Sequence, residues 1–310
     1  MLATPLGKPA RLRSGDSVGV VAPAGVVDPD RLAAGIRVLE SWGLEAVLGA
    51  AVFARRAYLA GSDDARLADV QRMIDDPRVR AVFCARGGYG SQRLVPGLDL
   101  RKLAAAPKPI VGYSDITALL GAALGAGVVA IHGPMVATDL ARGLAAHSLD
   151  HLRALLTDVD YRWEASVPVA VRPGQATGRL VGGCLSVVVT TLGTPWALDT
   201  RGAILFLEDV HESPYRIDRL LTQLRQAGRF TDVAGVVFGT MAGCRTIDGV
   251  GALAVVRDCF ADAPYPVGFG LTAGHDPAAT GIENLALPLG VPVTLDVDGG
   301  RLVALESAVV

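Results

Sequence analysis

Short, uninterrupted apolar runs alternate with helical spacing along most of this chain, and that alternation limits the fold more than any other feature. Residues 17–22 (SVGVVA) are apolar over the length of a buried strand. Asp28-Pro29 then offers a capping side chain followed by proline at the first helical position, and residues 31–42 carry helical spacing up to Gly43. Residues 45–48 read as a short strand, and residues 62–76 as a helix that stops at Pro77. Further strands are expected at 79–84, 109–111 and 128–131. Strands apolar on both faces must be covered on both faces, which predicts a parallel sheet flanked by helices and hence the α/β class.

The rhythm breaks near residue 141 and resumes near residue 179. The intervening stretch holds a polar helical segment at 148–156 and a run rich in proline and glycine, so residues 146–175 read as a linker. It divides an N-terminal α/β domain (1–145) from a C-terminal α/β domain (176–310). In the second domain strands are expected at 179–181, 203–207, 233–239 and 266–269, with helices up to residue 192 and at 215–227 and 250–260. A hairpin near 292–297 and 302–305 turns on Asp298-Gly299-Gly300.

Composition removes several function classes. Lys and Arg total 29 against 31 Asp and Glu, and no basic block occurs, so no nucleic-acid partner is expected. No run of about 18 uncharged apolar residues suggests a membrane span. The first residues lack the apolar core of a secretory leader, and the four cysteines (Cys84, Cys184, Cys244, Cys259) are scattered in apolar surroundings without a CxxC pair. Buried, reduced thiols in a cytoplasmic protein are the expectation, with no metal site.

In parallel α/β sheets, ligands bind beyond the carboxyl ends of the strands, so reactive side chains just after strands matter most. Ser114, in VGYSDITALL, sits where a strand gives way to a helix. A serine in so sharp a turn can project its hydroxyl above the sheet while the next amide serves as an oxyanion donor; it can equally be a helix cap. Arg86 to Ser91 (RGGYGS) follows the strand at 79–84, and its glycines let backbone amides approach a ligand closely. Glu208-Asp209 ends the strand in ILFLEDV, where a carboxylate can orient a histidine. His275 lies in LTAGHDPAATG, while His132 (in IHGPM) and His211 compete with it as general base. His147 and His151 read as exposed linker residues. Together these make a serine, carboxylate and histidine triad, and spacing does not choose among the three histidines.

The joint order of RGGYG, GYSD, HGP, GRLVGGCLS, LFLEDV and GH…LPLG, running from near residue 17 to near 290, resembles the LD-carboxypeptidase family of serine peptidases. That family includes murein tetrapeptide carboxypeptidases and is related to the microcin-immunity peptidases. The resemblance implies Ser114 as nucleophile, Glu208 as carboxylate and His275 as base. It places oxyanion donors on the Asp115 amide and in the loop at Gly87 or Gly88, and uses no metal or organic cofactor. It implies a doubly wound N-terminal domain of flavodoxin or glutamine-amidotransferase type, a C-terminal α/β domain and a homodimer. The reaction implied is release of the terminal D-alanine from a murein tetrapeptide during cell-wall recycling. Arg86, with Tyr89 beside it, is our candidate for binding the peptide's terminal carboxylate, because a guanidinium fork suits a carboxylate.

One feature departs from the resemblance: residues 278–283 lengthen the gap between His275 and Leu287-Pro288-Leu289-Gly290, next to the base. This loop bears on substrate choice. Three other readings stand beside the carboxypeptidase: a peptidase of the same superfamily that detoxifies an acyl-nucleotide or peptide antibiotic, a thiol enzyme using Cys84, and a non-catalytic protein that binds a small ligand in the cleft.

Overall fold

The computed structural model describes residues 6–246, 249–276, 278 and 281–310. Two sheets organise them. In the first, β1 (Ser17–Val21), β2 (Glu45–Leu48), β3 (Val79–Cys84), β4 (Ile110–Gly112) and β5 (Ala130–His132) run parallel. Their order is β5-β4-β3-β1-β2, the doubly wound arrangement of flavodoxin type, with its switch point between β1 and β3. Helices α1 (Pro29–Ser41), α2 (Asp63–Asp75), α3 (Leu100–Ala105) and α4 (Thr117–Gly125) alternate with these strands. The expected caps are in place: Asp28 accepts from the Arg31 amide at 3.0 Å, and Ser62 from the Ala65 amide at 3.2 Å.

The second sheet has eight strands. Its parallel centre is β8 (Gln175–Cys184), β9 (Ala203–Val210), β10 (Gly235–Ala242) and β11 (Val267–Phe269). Antiparallel β13 (Pro292–Asp296) and β14 (Arg301–Ala304) extend it beyond β8. Helices α6 (Leu185–Thr190), α7 (Pro214–Gln226) and α8 (Ala252–Cys259) follow β8, β9 and β10.

The stretch 146–175 is more structured than a linker. It contains α5 (Ala146–Thr157), whose Leu152, Leu155 and Leu156 are buried in the core shared by both sheets. It also supplies β6 (Glu164–Ser166) and β7 (Val169–Arg172), which pair with β14 and β11 at opposite edges of the second sheet. Edge strands of three and four half-exposed residues carry no apolar run, which is why the sequence reads as loop. His151 is buried rather than exposed: it lies on the inward face of α5, beside the Tyr161 hydroxyl at 3.0 Å and the Ala286 carbonyl at 2.8 Å. The other unexpected strand is β12 (Leu287–Leu289), which crosses back to pair with β5 at the edge of the first sheet. Its proline is tolerated because an edge strand can spare an N–H. Among the described residues, no helix is long and apolar enough to cross a membrane.

Candidate active site

Ser114 follows β4 in a tight 3₁₀ turn that leads into α4. Its φ is +61°, a left-handed conformation that costs a non-glycine residue about 1–2 kcal/mol. Its hydroxyl caps neither the turn nor the helix. A polar side chain held in an unfavourable backbone state and not spent on capping is the arrangement of a nucleophile elbow.

The glycine-rich loop after β3 comes down onto this elbow. A methyl group built on Gly87 would stand 2.9 Å from Ser114 Cβ, 3.0 Å from its Oγ and 3.5 Å from the Asp115 amide nitrogen. The loop is tied there by Ser91, whose amide donates to Asp115 Oδ2 at 2.8 Å and whose hydroxyl donates to the Asp115 carbonyl. The Asp115 side chain thus anchors the loop, and Gly87 rather than exposed Gly88 lies against the serine. Arg86 donates from Nε to the Gly87 carbonyl at 3.2 Å and from Nη1 to the Val26 carbonyl at 2.9 Å, so much of its fork is engaged with backbone. Tyr89 is exposed and stands edge-on to Tyr58, ring centres 6.0 Å apart.

Glu208 lies near the end of β9, fully buried and paired in register with Cys184 of β8. Its Oε2 is 2.7 Å from His275 Nδ1 and accepts from the His275 amide at 3.1 Å. Gly274 permits this approach: its φ is +107°, and a built methyl would lie 2.5 Å from Glu208 Oε2. With the Nδ1 proton given to Glu208, His275 Nε2 is left as the basic nitrogen. Burial pushes the His275 imidazole down, but the Glu208 charge and hydrogen bond, helped by Asp209 and Asp139, leave it above its ordinary value. Burial pushes the Glu208 carboxyl up, but His275 and His132 hold it below its ordinary value.

Tyr113, the residue before Ser114, joins the two halves of the site. Its ring stands edge-on to His275 at 4.9 Å, and its hydroxyl donates to buried Asp139 at 3.0 Å. Asp139 lies in a single π turn, Val136–Leu140, and is held by the Met135 amide at 3.0 Å and the Thr138 hydroxyl at 2.9 Å. Nothing in the sequence announces this pair, because a lone Asp after HGP is no signal. Gly182 and Gly183 serve another close approach: a methyl on Gly183 would meet the Thr117 side chain at 2.6 Å, just past the elbow. The rival histidines separate. His211 is exposed at a left-handed turn, and His132 is buried beside the site with its pKa pushed down to about 4 by burial. Cys84 is wholly buried, and burial with the Asp115 charge drives its thiol far up, so it is no thiolate.

A cavity of about 390 Å³ opens beside His275, lined by Thr240, Met241, Phe269, Thr272 and Glu283. A larger one of about 730 Å³, against Arg179, Trp196 and Arg201, lies where β8 and β9 begin, at the opposite end of the strands from the chemistry. Only the smaller of these two has His275 in its wall. The longer loop falls partly on residues 277, 279 and 280, outside the described residues. Around it, Asp276 accepts from the Ala278 and Glu283 amides at 2.9 and 2.8 Å, and Arg142 donates to the Ala278 carbonyl. Among the described residues, no group of three or more His, Cys, Asp or Glu is placed to hold a metal ion.

Comparison with known proteins covers nearly the whole chain. The LD-carboxypeptidase N-terminal domain matches residues 18–133 and the LD-carboxypeptidase C-terminal domain residues 177–295. A probable murein peptide carboxypeptidase of Bacillus subtilis is 39% identical, over 93% of this chain and 91% of its own. The murein tetrapeptide carboxypeptidase of Pseudomonas aeruginosa is 37% identical, over 92% and 94%. The crystal structure of muramoyltetrapeptide carboxypeptidase from Oxalobacter formigenes superposes with a TM-score of 0.83 at 31% identity, covering 93% of this chain and 97% of that one. The microcin C7 self-immunity protein MccF of Escherichia coli is more distant, at 26% identity over 96% and 95%.

Proposed function

Because the chain belongs to the LD-carboxypeptidase family, we propose that it is a serine peptidase that releases the terminal D-alanine of a murein tetrapeptide through Ser114, His275 and Glu208. The observation that carries the reading is the left-handed Ser114, whose neighbour Tyr113 stands edge-on to the histidine of a carboxylate–histidine pair with the carboxylate fully buried. Ser114 Oγ attacks the scissile carbonyl carbon while His275 Nε2 takes its proton. Glu208 holds the ring and stabilises the imidazolium. The oxyanion rests on the amides of Asp115 and of the Gly87 turn. As the C–N bond breaks, His275 returns the proton to the departing amine and free D-alanine leaves. Water, deprotonated by His275, then cleaves the Ser114 ester and restores the serine. Arg86 binds the terminal carboxylate with what its two backbone bonds leave free, and Tyr89 borders the entrance.

A cytoplasmic role in wall-peptide recycling, as a homodimer, belongs to the same proposal. Two substrates presented side by side test it: L-Ala-γ-D-Glu-meso-diaminopimelate-D-Ala and an aminoacyl sulfamoyl nucleotide. Release of D-alanine with the nucleotide left intact is expected. Cleavage of the nucleotide alone transfers the protein to the detoxifying branch, and binding of either without turnover makes it a ligand-binding protein.

A further inference from the structure

Three buried polar side chains beside the triad have an atom with no hydrogen-bond partner among the described residues: Glu208, His132 and Asn284, whose Nδ2 is unpaired while its Oδ1 accepts from the Gly274 amide at 2.9 Å. Glu208 commits Oε2 to the ring and amide of His275, while Oε1 bonds nothing. His132 is wholly buried, and neither Nδ1 nor Nε2 has a partner. Unpaired polar groups in an interior are expensive, and two of opposite hydrogen-bonding character in one place call for each other.

Their placement puts them in one compartment. Phe206 and Glu208 are two residues apart on β9, so their side chains leave the sheet on the same face. The Phe206 ring lies 5.0 Å from the His132 ring, edge to face. His132 ends β5 in register with Gly112, two residues ahead of Ser114. Tyr113 stands edge-on to His132 at 5.7 Å and to His275 at 4.9 Å, so three rings border the space around the Glu208 carboxylate. Glu208 and His132 also bear on each other's titration.

Resting on the triad reading above, we propose that His132 is a positioning residue: its ring N–H donates to Glu208 Oε1 across one water and holds the carboxylate with Oε2 turned to His275. A neutral imidazole suits the task. Burial pushes the pKa of His132 down to about 4, so it stays uncharged where His275 titrates and adds a donor without a second cation. The charged and titratable groups facing His275 are Glu208 and Asp209 from β9, Asp139 from the π turn, Tyr113 from the elbow and His132 from β5. Those acting on His132 are Glu208 and His275. Without the His132 donor, the Glu208 charge is less shared and draws the His275 imidazolium more strongly, so the acid limb of kcat/KM moves to higher pH.

Two variants and one spectrum test this. His132→Phe keeps a ring and removes the donor, whereas His132→Gln keeps a side-chain N–H. We expect His132→Phe to lower kcat about 10- to 100-fold, the scale of a misplaced reacting group, with KM little changed and the acid limb raised. His132→Gln should recover most of the loss. A merely structural His132 predicts the reverse order, because phenylalanine suits an apolar pocket better than glutamine. In the resting wild-type protein, ¹⁵N-edited NMR should show one exchange-protected His132 ring N–H that shifts in Glu208→Gln. That spectrum needs no substrate and no turnover, so it stands even if Ser114→Ala retains turnover and the triad reading falls. Wild-type kcat and acid limb in His132→Phe, glutamine no better than phenylalanine, or a His132 proton indifferent to Glu208→Gln would each overturn the proposal.

Discussion

Gly87→Ala puts the geometry of the elbow to a quantitative test. The added methyl would lie 2.9 Å from Ser114 Cβ and 3.0 Å from Oγ. Comfortable carbon–carbon contact begins at about 3.5 Å, so one side must yield by roughly 0.6 Å. The elbow has little room to yield, since Ser114 already holds a φ of +61° and Asp115 is tied to Ser91 on both its side chain and its carbonyl. Gly87 itself is not in the left-handed region, so alanine brings no backbone strain of its own. The cost therefore falls on the position of Ser114 and on the amides proposed as oxyanion donors. A displacement of this size, or loss of one oxyanion donor, is worth about 10²-fold in kcat. The assay is D-alanine release under saturating tetrapeptide, with urea melts showing that the fold survives. Gly125→Ala, a helix position with open space around it, is the control and should turn over normally. Turnover by Gly87→Ala within about threefold of wild type would refute the placement of this loop against Ser114.

Other outcomes follow from the same geometry. Ser114→Gly should be more stable than Ser114→Ala by about 1 kcal/mol in urea melts, because only glycine occupies a left-handed φ without strain; equal stabilities would remove the strain from the account. His275 must be neutral to act and its pKa lies above 6.5, so kcat/KM should fall as pH drops through a midpoint above 6.5. The same raised value means that the Glu208–imidazolium pair stabilises the fold fully below 6.5 and less as pH rises through the His275 midpoint. Glu208→Gln should lose about 10⁴-fold in kcat by releasing the ring tautomer, and its residual activity should titrate lower than wild type; an unmoved limb contradicts the pairing. Iodoacetamide should modify Cys259, the half-exposed thiol, and spare Cys84, Cys184 and Cys244; inactivation through Cys84 would restore the thiol reading.

What could be read from sequence was what a single local pattern encodes. The apolar run of β1, the caps Asp28 and Ser62, and the serine and carboxylate at strand ends each announce themselves within a few residues. His275 was singled out from its rivals only by the family resemblance. The structure sets His211 on an exposed turn, and it leaves His132 buried without a bond to the nucleophile among the described residues. Contacts made across long separations left no local trace. Ser91 to Asp115, Tyr113 to Asp139 and the return of β12 to β5 depend on which strands of the first sheet become neighbours, and residues of ordinary type make them. The edge strands β6 and β7 were missed because half-exposed strands of three and four residues look like loop. The glycines divide in the same way. The loop at 86–91 was legible as one that approaches a ligand, but only the fold distinguishes Gly87, against Ser114, from Gly88, in solvent.

The most direct test of the account is D-alanine release from L-Ala-γ-D-Glu-meso-diaminopimelate-D-Ala by the wild type and by Ser114→Ala, with matched folding. The account predicts stoichiometric conversion of tetrapeptide to tripeptide and D-alanine by the wild type, and none by Ser114→Ala. Undiminished release by Ser114→Ala would contradict it, since no other group in the described site is placed to replace the serine hydroxyl as nucleophile.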